Sequence, residues 1–418
     1  MACAVWNGKG QIMESVIYLD YAATTPQREE VTQAMLPYFS ECFGNPSSAY
    51  LVGRNAKSAV QNARKLIAST INASDKEIYF TSGGTESDNW AIKVIAGEYL
   101  KKNKKCHIIT DATEHHAVLN SCKALEEAGV ADVTYLPVDD KGRVNPHALE
   151  RAIRPDTVLV SIMMANNEIG TIQPIAELSR VAHRHGILFH VDAVQAYCHM
   201  PIDVRFLGID LLSASGHKFY GPKGIGFLYI REGVLSKGFM DGGMQEQRLR
   251  AGTENVASIV GMAKAAELAM TELRMEMSRE RGLRDYFINR VMKEIPYVKL
   301  NGTYGNERLA NNINMSFRFV ESESLLIMLD MKGICVSAGS ACATGEKNPS
   351  HVLMAIGLTQ ELANGSVRFT IGRNTTKEEL DITIDALKEA IGGLREASFQ
   401  YEDFVKGGQG MPGRRPVY

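Results

Sequence analysis

Between about residues 75 and 230 the chain alternates short apolar runs with longer amphipathic stretches. EIYFT (77–81) predicts a strand, and ESDNWAIKVIAGEYLKK after it a helix. CHIIT (106–110) precedes the helical AVLNSCKALEEAG. VTYLPV (133–138) precedes NPHALERAI, where Asn145 is placed as N-cap and Pro146 as the first helical residue. TVLVSIM (157–163), ILFHV (187–191), DLLSAS (210–215) and GFLYI (226–230) continue the series. Seven strands in this rhythm, interleaved with helices, predict an α/β unit with a mostly parallel sheet covered on both faces.

From about 256 to 293 the pattern predicts one long helix or two, bridging to a second domain. Beyond it, NNINMSFRF and SVRFTI read as strands and TKEELDITIDALKEAIGGLREA as a helix, which suggests a smaller α+β unit. The tail GGQGMPGRRPVY has the Gly and Pro content of a disordered end.

Composition removes several classes. The chain has 418 residues, enough for two or three domains, with 45% apolar and 22% charged residues as in an ordinary globular protein. A net charge of −2 with no basic run predicts no nucleic-acid partner. No apolar stretch is long enough for a bilayer, so no membrane partner is expected either. MACAVWNGKGQIMES lacks the pattern of a secretory signal or transit peptide. Seven scattered cysteines contain no C-x-x-C pair. That odd set points to reduced thiols and a cytoplasmic setting, with no disulfide framework. No Cys/His spacing suits zinc, and no metal is expected.

The candidate chemistry lies just past the strands, where ligands sit in an open α/β sheet. SGGTES follows 77–81, DATEHH follows 106–110, and MANNEIG follows 157–163. DAVQ follows 187–191, and GHK follows 210–215. Each piece alone has an ordinary explanation: a strand-to-helix turn, a helix-capping Asp192, a surface Lys218, a solvated His115–His116 pair. Together they match what pyridoxal phosphate requires. A lysine (Lys218) forms a Schiff base, and an acid (Asp192) holds the pyridinium nitrogen protonated. A turn opening a helix at 82–85 cradles the phosphate with backbone N–H groups and the helix dipole. His115 is placed to lie over the ring and shuttle protons. SAGSACATG (337–345) reads as a small-residue loop around Cys342, with too little bulk to bury it.

These residues resemble the cysteine desulfurases of the NifS/IscS group, among the fold-type I, class-V aminotransferase-like enzymes. The similar segments run in order along nearly the whole chain: YLDYAATTP, GNPSS, TSGGTESDNWAI, TEHHAVL, NNEIG, HVDAVQ, SGHKFYGPKGIG, RAGTEN, SAGSACATG and VRFTIGRNTT. The resemblance implies a fold-type I large domain with a seven-stranded sheet and a smaller α+β C-terminal domain. The division expected is an arm over 1–26 packing with the small domain, a large domain over 27–265, a small domain over 266–405 carrying the cysteine loop, and a tail over 406–418.

The resemblance also implies roles. Lys218 carries the cofactor and later acts as acid and base; Asp192 pairs with the ring nitrogen; Gln195 bonds the ring hydroxyl; His115 stacks on the ring. Gly84, Thr85, Ser215 and His217 bind the phosphate, joined by Thr253 of a partner subunit, so a homodimer is implied. Asn167 and Arg368 hold the carboxylate of L-cysteine, for which a planar guanidinium is suited. Cys342 resembles the nucleophile that takes the sulfur as a persulfide, leaving L-alanine. It then passes the sulfur to an acceptor protein such as an iron–sulfur scaffold. The alternative for Cys342 is a structural thiol; for Cys335, in an apolar run, burial is the expectation. Rival functions are a selenocysteine lyase, another lyase or aminotransferase of the superfamily, or a non-catalytic sulfur-relay scaffold. Two departures stand out: Tyr50 where a histidine is common in the family, placed to alter the substrate entrance, and Ala338 where serine is frequent.

Overall fold

The computed structural model describes residues 16–100, 105–235, 237–338 and 349–407. Strand β1 (Ile17–Tyr18) comes first. The central sheet is then built from β2 (Ile78–Thr81), β3 (Cys106–Asp111), β4 (Ala131–Leu136), β5 (Thr157–Ser161), β6 (Leu188–Asp192), β7 (Leu211–Ser215) and β8 (Gly226–Ile230). Its spatial order is β2-β8-β7-β6-β5-β3-β4. Pairings among β7, β6, β5, β3 and β4 are parallel, whereas β8 runs antiparallel to both neighbours. The strands β2, β3, β7 and β8 are buried along their whole lengths, as expected of a sheet covered on both faces.

One apolar core, with Phe189, Val191, Phe227 and Tyr229, packs under the helix Leu51–Thr70 through Val60, Ala63 and Ile67. A second, on the other face, gathers Trp90, Ile92, Ile108, Leu159 and Leu228. Asn145 does cap the helix Pro146–Ala152, its Oδ1 accepting from the His147 N–H at 2.8 Å. The strand expected at 133–138 is displaced to 131–136: β4 is an edge strand, buried at its two ends and half-buried or exposed between them, and among the described residues it pairs with β3 alone.

A separate core forms around β9 (Val298–Leu300), β10 (Asn312–Phe317) and β12 (Ser366–Thr370), an antiparallel sheet ordered β12-β10-β9. Phe287, Ile313, Met315, Phe369 and Leu387 fill it, the last from the helix Lys377–Glu396. The segment 256–293 is one continuous helix, Val256–Glu294, which contributes Met262 to the first core and Phe287 to this one. Residue 265 lies inside that helix.

Strand β1 pairs in parallel with β11 (Ile334–Cys335), and Asp20 bridges to Thr370 on β12. Cys335, expected to be buried, is only half-buried: the two-residue β11 pairs, among the described residues, with β1 alone. Residues 339–348, and with them Cys342, lie outside the described residues, as does the tail from 408.

Candidate active site

The parallel strands end at one edge of the sheet, and their following turns wall a cavity of about 530 Å³. Gly84, Thr85, His115, Asn167, Asp192, Gln195, Ser215, His217, Lys218 and Arg368 all line it. Thr253 does not. It stands exposed on a loop whose residues 246–248 all have positive φ, at 41°, 56° and 71°. Such backbone is strained for side chains of this size. It is held by a buried ion pair in which Arg64 Nη1 and Nη2 each reach Glu246 at 2.7 Å, while the Phe80 N–H donates to the same carboxylate at 2.9 Å. Tyr50 is 61% exposed and is not among the described residues that line the cavity.

The glycine turn closes the cavity on one side. The helix Gly84–Leu100 begins directly at its wall, so its first N–H groups lack intrahelical acceptors. A Cβ on Gly84 would meet Val194 Cγ2 at 2.5 Å, so only glycine leaves that floor open. Gly226 on β8 allows the same turn to approach: a Cβ there would lie 2.7 Å from Gly83 Cα.

Asp192 ends β6, and its Oδ1 accepts from the Val194 N–H at 2.8 Å. Burial pushes its carboxyl up to about 6, opposed by that hydrogen bond and by Lys218. Lys218 closes the short turn after β7, and its Nζ donates to the carbonyls of Ala22 at 2.6 Å and Ala23 at 2.9 Å. Gln195 Nε2 donates to the same Ala22 carbonyl at 3.0 Å. His217 Nδ1 lies 3.1 Å from Thr24 Oγ1; burial and then Lys218 push its imidazole down to about 4. The segment 20–25, entered from the small sheet, thus holds the residues that the large sheet presents.

His115 is the N-cap of the helix His116–Glu127, with Nδ1 accepting from the Ala117 N–H at 3.1 Å. A nitrogen that accepts carries no proton, so the proton resides on Nε2. Burial, then Lys218, push its imidazolium down to about 4, and a helix N-terminus disfavours the cation as well.

Asn167 lies in a turn shaped by its neighbour. Asn166 Oδ1 accepts from the N–H groups of Glu168 at 2.8 Å and Ile169 at 3.0 Å. Gly170, at φ +71°, packs where a Cβ would strike Asn312 Oδ1 at 2.5 Å. Arg368, on β12, is 5% exposed; its Nη1 donates to the Asn167 carbonyl at 3.1 Å and its Nη2 to Asp20 Oδ1 at 2.8 Å.

Four buried or half-buried acids at the cavity wall were given no part from the sequence: Asp20, Asp88, and Glu114 and Glu168 inside the strand-end segments DATEHH and MANNEIG. Asp88 was legible one helical turn after Gly84, on the same inward face. Its Oδ1 has no hydrogen-bond partner among the described residues and lies 3.6 Å from His190 Nε2, while burial and then Asp192 raise its carboxyl well above the usual range. Glu168 Oε2 accepts from Ser350 Oγ at 2.5 Å, where the described chain resumes after residue 348, and burial pushes it up to about 7. His351 beside it donates to the Glu114 carbonyl at 3.0 Å.

A mostly parallel sheet whose strand ends deliver a lysine, a buried aspartate and a glycine-opened helix to one cavity, met there by a buried arginine from a second sheet, defines a family. The chain belongs to the aminotransferase class-V family, whose profile matches residues 17–383. Within it the chain is a cysteine desulfurase. It is 55% identical to the cysteine desulfurase IscS of Dictyoglomus turgidum over 92% of this chain and 97% of the relative. It is 52% identical to that of Methanosarcina thermophila, over 94% and 97%. Among solved structures, a NifS-like protein superposes with a TM-score of 0.84 at 36% identity, covering 90% of this chain and all of that one. SspA in complex with cysteine gives 0.76 at 39% identity, over 85% and 98%. The seven-stranded, mostly parallel sheet is the architecture these relatives share with the chain.

Proposed function

We propose that the chain converts L-cysteine to L-alanine with the aid of pyridoxal phosphate, taking the sulfur onto Cys342 as a persulfide for delivery to an acceptor protein such as an iron–sulfur scaffold. The observation that carries this reading is the convergence of Lys218 Nζ, buried Asp192 and the Gly84 turn on one cavity with Arg368. The residues fit the cofactor. The Gly84 floor is a cradle that a Cβ would fill, beside a helix N-terminus suited to phosphate. Asp192 is a buried acid able to face a ring nitrogen, and Lys218 can reach a carbonyl carbon. Gly84, Thr85, Ser215 and His217 would hold the phosphate, Gln195 the ring hydroxyl and His115 the ring face. When bound, pyridoxal phosphate supplies a carbonyl for the substrate amine and an electron sink for a carbanion at the substrate Cα.

The rest falls to the chain's own groups. Arg368 and Asn167 hold the substrate carboxylate and so aim the thiol side chain. Lys218 Nζ takes the proton from the substrate Cα and returns one to the product. His115, neutral with its proton on Nε2, offers a donor without adding a second cation beside Lys218. The Cys342 thiolate attacks the substrate sulfur: an S–S bond forms, the C–S bond breaks, and the electron pair left on carbon is protonated to give the methyl group of alanine. L-Cysteine and one enzyme thiol thus become L-alanine and one enzyme persulfide.

We further propose a homodimer in which the exposed Thr253 joins the partner's phosphate site, and a division into an arm over 1–26, a large unit over 27–265 and a small one over 266–405. The separate cores of the central sheet and of the β12-β10-β9 sheet support that division. A cytoplasmic setting accords with Cys42, Cys106, Cys122, Cys198 and Cys335 being free thiols. Among the described residues no helix is long and apolar enough to cross a membrane.

The deciding experiment compares the purified holoenzyme with Cys342→Ala, given L-cysteine and a reductant, with sulfide and alanine both measured. Equal sulfide and alanine from the wild type, and neither from a variant that still binds cofactor and cysteine, is the expected result. A variant as active as wild type would remove Cys342 from the reaction.

A further inference from the structure

The guanidinium of Arg368 is already committed on two of its three nitrogens. Nη1 donates to the Asn167 carbonyl at 3.1 Å, and Nη2 to Asp20 Oδ1 at 2.8 Å. Nε is buried and has no hydrogen-bond partner among the described residues. A carboxylate is best held by Nε and the adjacent Nη of one guanidinium together. Of that pair of donors, one is open and the other is held by a carboxylate of the chain itself.

Asp20 is not a chance visitor there. Its backbone bridges to Thr370, two residues along β12 from Arg368. The Thr370 N–H donates to the Leu19 carbonyl at 2.7 Å, and the Ala22 N–H donates to Thr370 Oγ1 at 2.9 Å. The Arg368 backbone is in turn doubly bonded to Ser337, at 2.7 and 3.2 Å. Both members of the ion pair therefore stand on fixed backbone, and side-chain torsion alone can part them. The pair is also well desolvated, with side-chain exposures of 6% for Arg368 and 19% for Asp20, so solvent screens it little.

We propose that Asp20 is a positioning residue that acts as a resident competitor: it keeps the guanidinium aimed between turnovers, and the α-carboxylate of the substrate must displace it from Nη2. The inference rests on Arg368 being the carboxylate clamp of the proposed reaction. Its consequence is a deliberately weakened clamp. Every ligand with one carboxylate works against the Asp20 charge, so cysteine binds loosely and alanine leaves readily. The arrangement also disfavours amino acids with a second carboxylate, which would bring another anion towards Asp20.

The test is Asp20→Asn in the holoenzyme. Asparagine keeps the size and an oxygen acceptor for Nη2 but removes the charge. The probe is 3-mercaptopropionate, which has the thiol and the carboxylate of cysteine but no amino group, with its dissociation constant measured by calorimetry. Two carboxylates sharing one shielded guanidinium repel strongly, so the variant should bind the probe about tenfold tighter or more. KM for L-cysteine should fall in parallel, while kcat stays level or drops as alanine leaves more slowly. A probe affinity that is unchanged or weaker in Asp20→Asn overturns the proposal. Asp20→Ser, also uncharged, provides the same reading should the asparagine variant fold poorly. Arg368→Met separates the two ideas. If it leaves probe binding intact, the clamp itself is wrong; if it abolishes binding while Asp20→Asn changes nothing, only the competitor role falls.

Discussion

Glu168 is a buried carboxyl in the turn that carries Asn167, at the cavity wall, with Ser350 Oγ as the donor to its Oε2. Burial moves it from 4.5 to about 7. A carboxyl whose pKa is raised on folding costs stability once pH passes its unfolded value, and the cost grows until pH passes the folded one. With those two values the cost is about 0.8 kcal/mol at pH 5 and about 3 kcal/mol at pH 8. Glutamine has the same shape, can still accept from Ser350, and has no charge to desolvate. Glu168→Gln should therefore gain about 2.5 kcal/mol more, relative to wild type, at pH 8 than at pH 5. With an unfolding entropy of roughly 2 cal/mol/K per residue, that difference is about 3 °C in Tm for a chain of 418 residues. The assay is thermal unfolding of wild type and variant at both pH values, at fixed salt and cofactor. If the variant's gain in Tm is the same at pH 5 and pH 8, Glu168 is ionised as easily inside the fold as outside, and the reasoning fails.

Gly282 lies exposed within the long helix with open space around the position of a Cβ, so Gly282→Ala should stabilise by about 1 kcal/mol, read from the denaturant midpoint. Gly84→Ala places a methyl 2.5 Å from Val194 Cγ2, and the displaced wall should weaken pyridoxal phosphate binding about tenfold, measured by absorbance titration of the apoenzyme. For His115, the 15N shifts of the ring should hold the Nε2–H neutral pattern from pH 8 down to 5.5; a transition near 6.5 would contradict its capping geometry.

The strand-end rule alone brought Lys218, Asp192 and His115 to one edge, where they line the cavity, because a parallel sheet turns the groups that follow its strands to its carboxyl edge. Arg368 lies on β12 of the other sheet, beyond the reach of that rule, and entered through the resemblance alone. Asp20 was inside the quoted YLDYAATTP yet had no assigned part. Its partner is 348 residues away, and neither period nor spacing encodes so distant an ion pair. The same holds for β1 and β11, two residues each, too short to show an alternation. Glu168 was hidden for a different reason: acids between Asn167 and Gly170 are ordinary in a turn, and only the packing of β10 and Ser350 makes this one dry.

The helix Val256–Glu294 has 39 residues and so is about 58 Å long. Its first turns are embedded with the central sheet and its last turns with the small one, while from 267 to 279 Leu273 alone is fully buried. A rod of this kind couples the melting of both ends. If either core dissolves, the freed half becomes a helix without tertiary support, which is marginal in water, and fraying can run toward the other core. Amide exchange along the helix would record this coupling directly. Slow, uniform exchange through 267–279 means that the two sheets unfold as one cooperative unit, whereas fast exchange there marks the seam between two foldons.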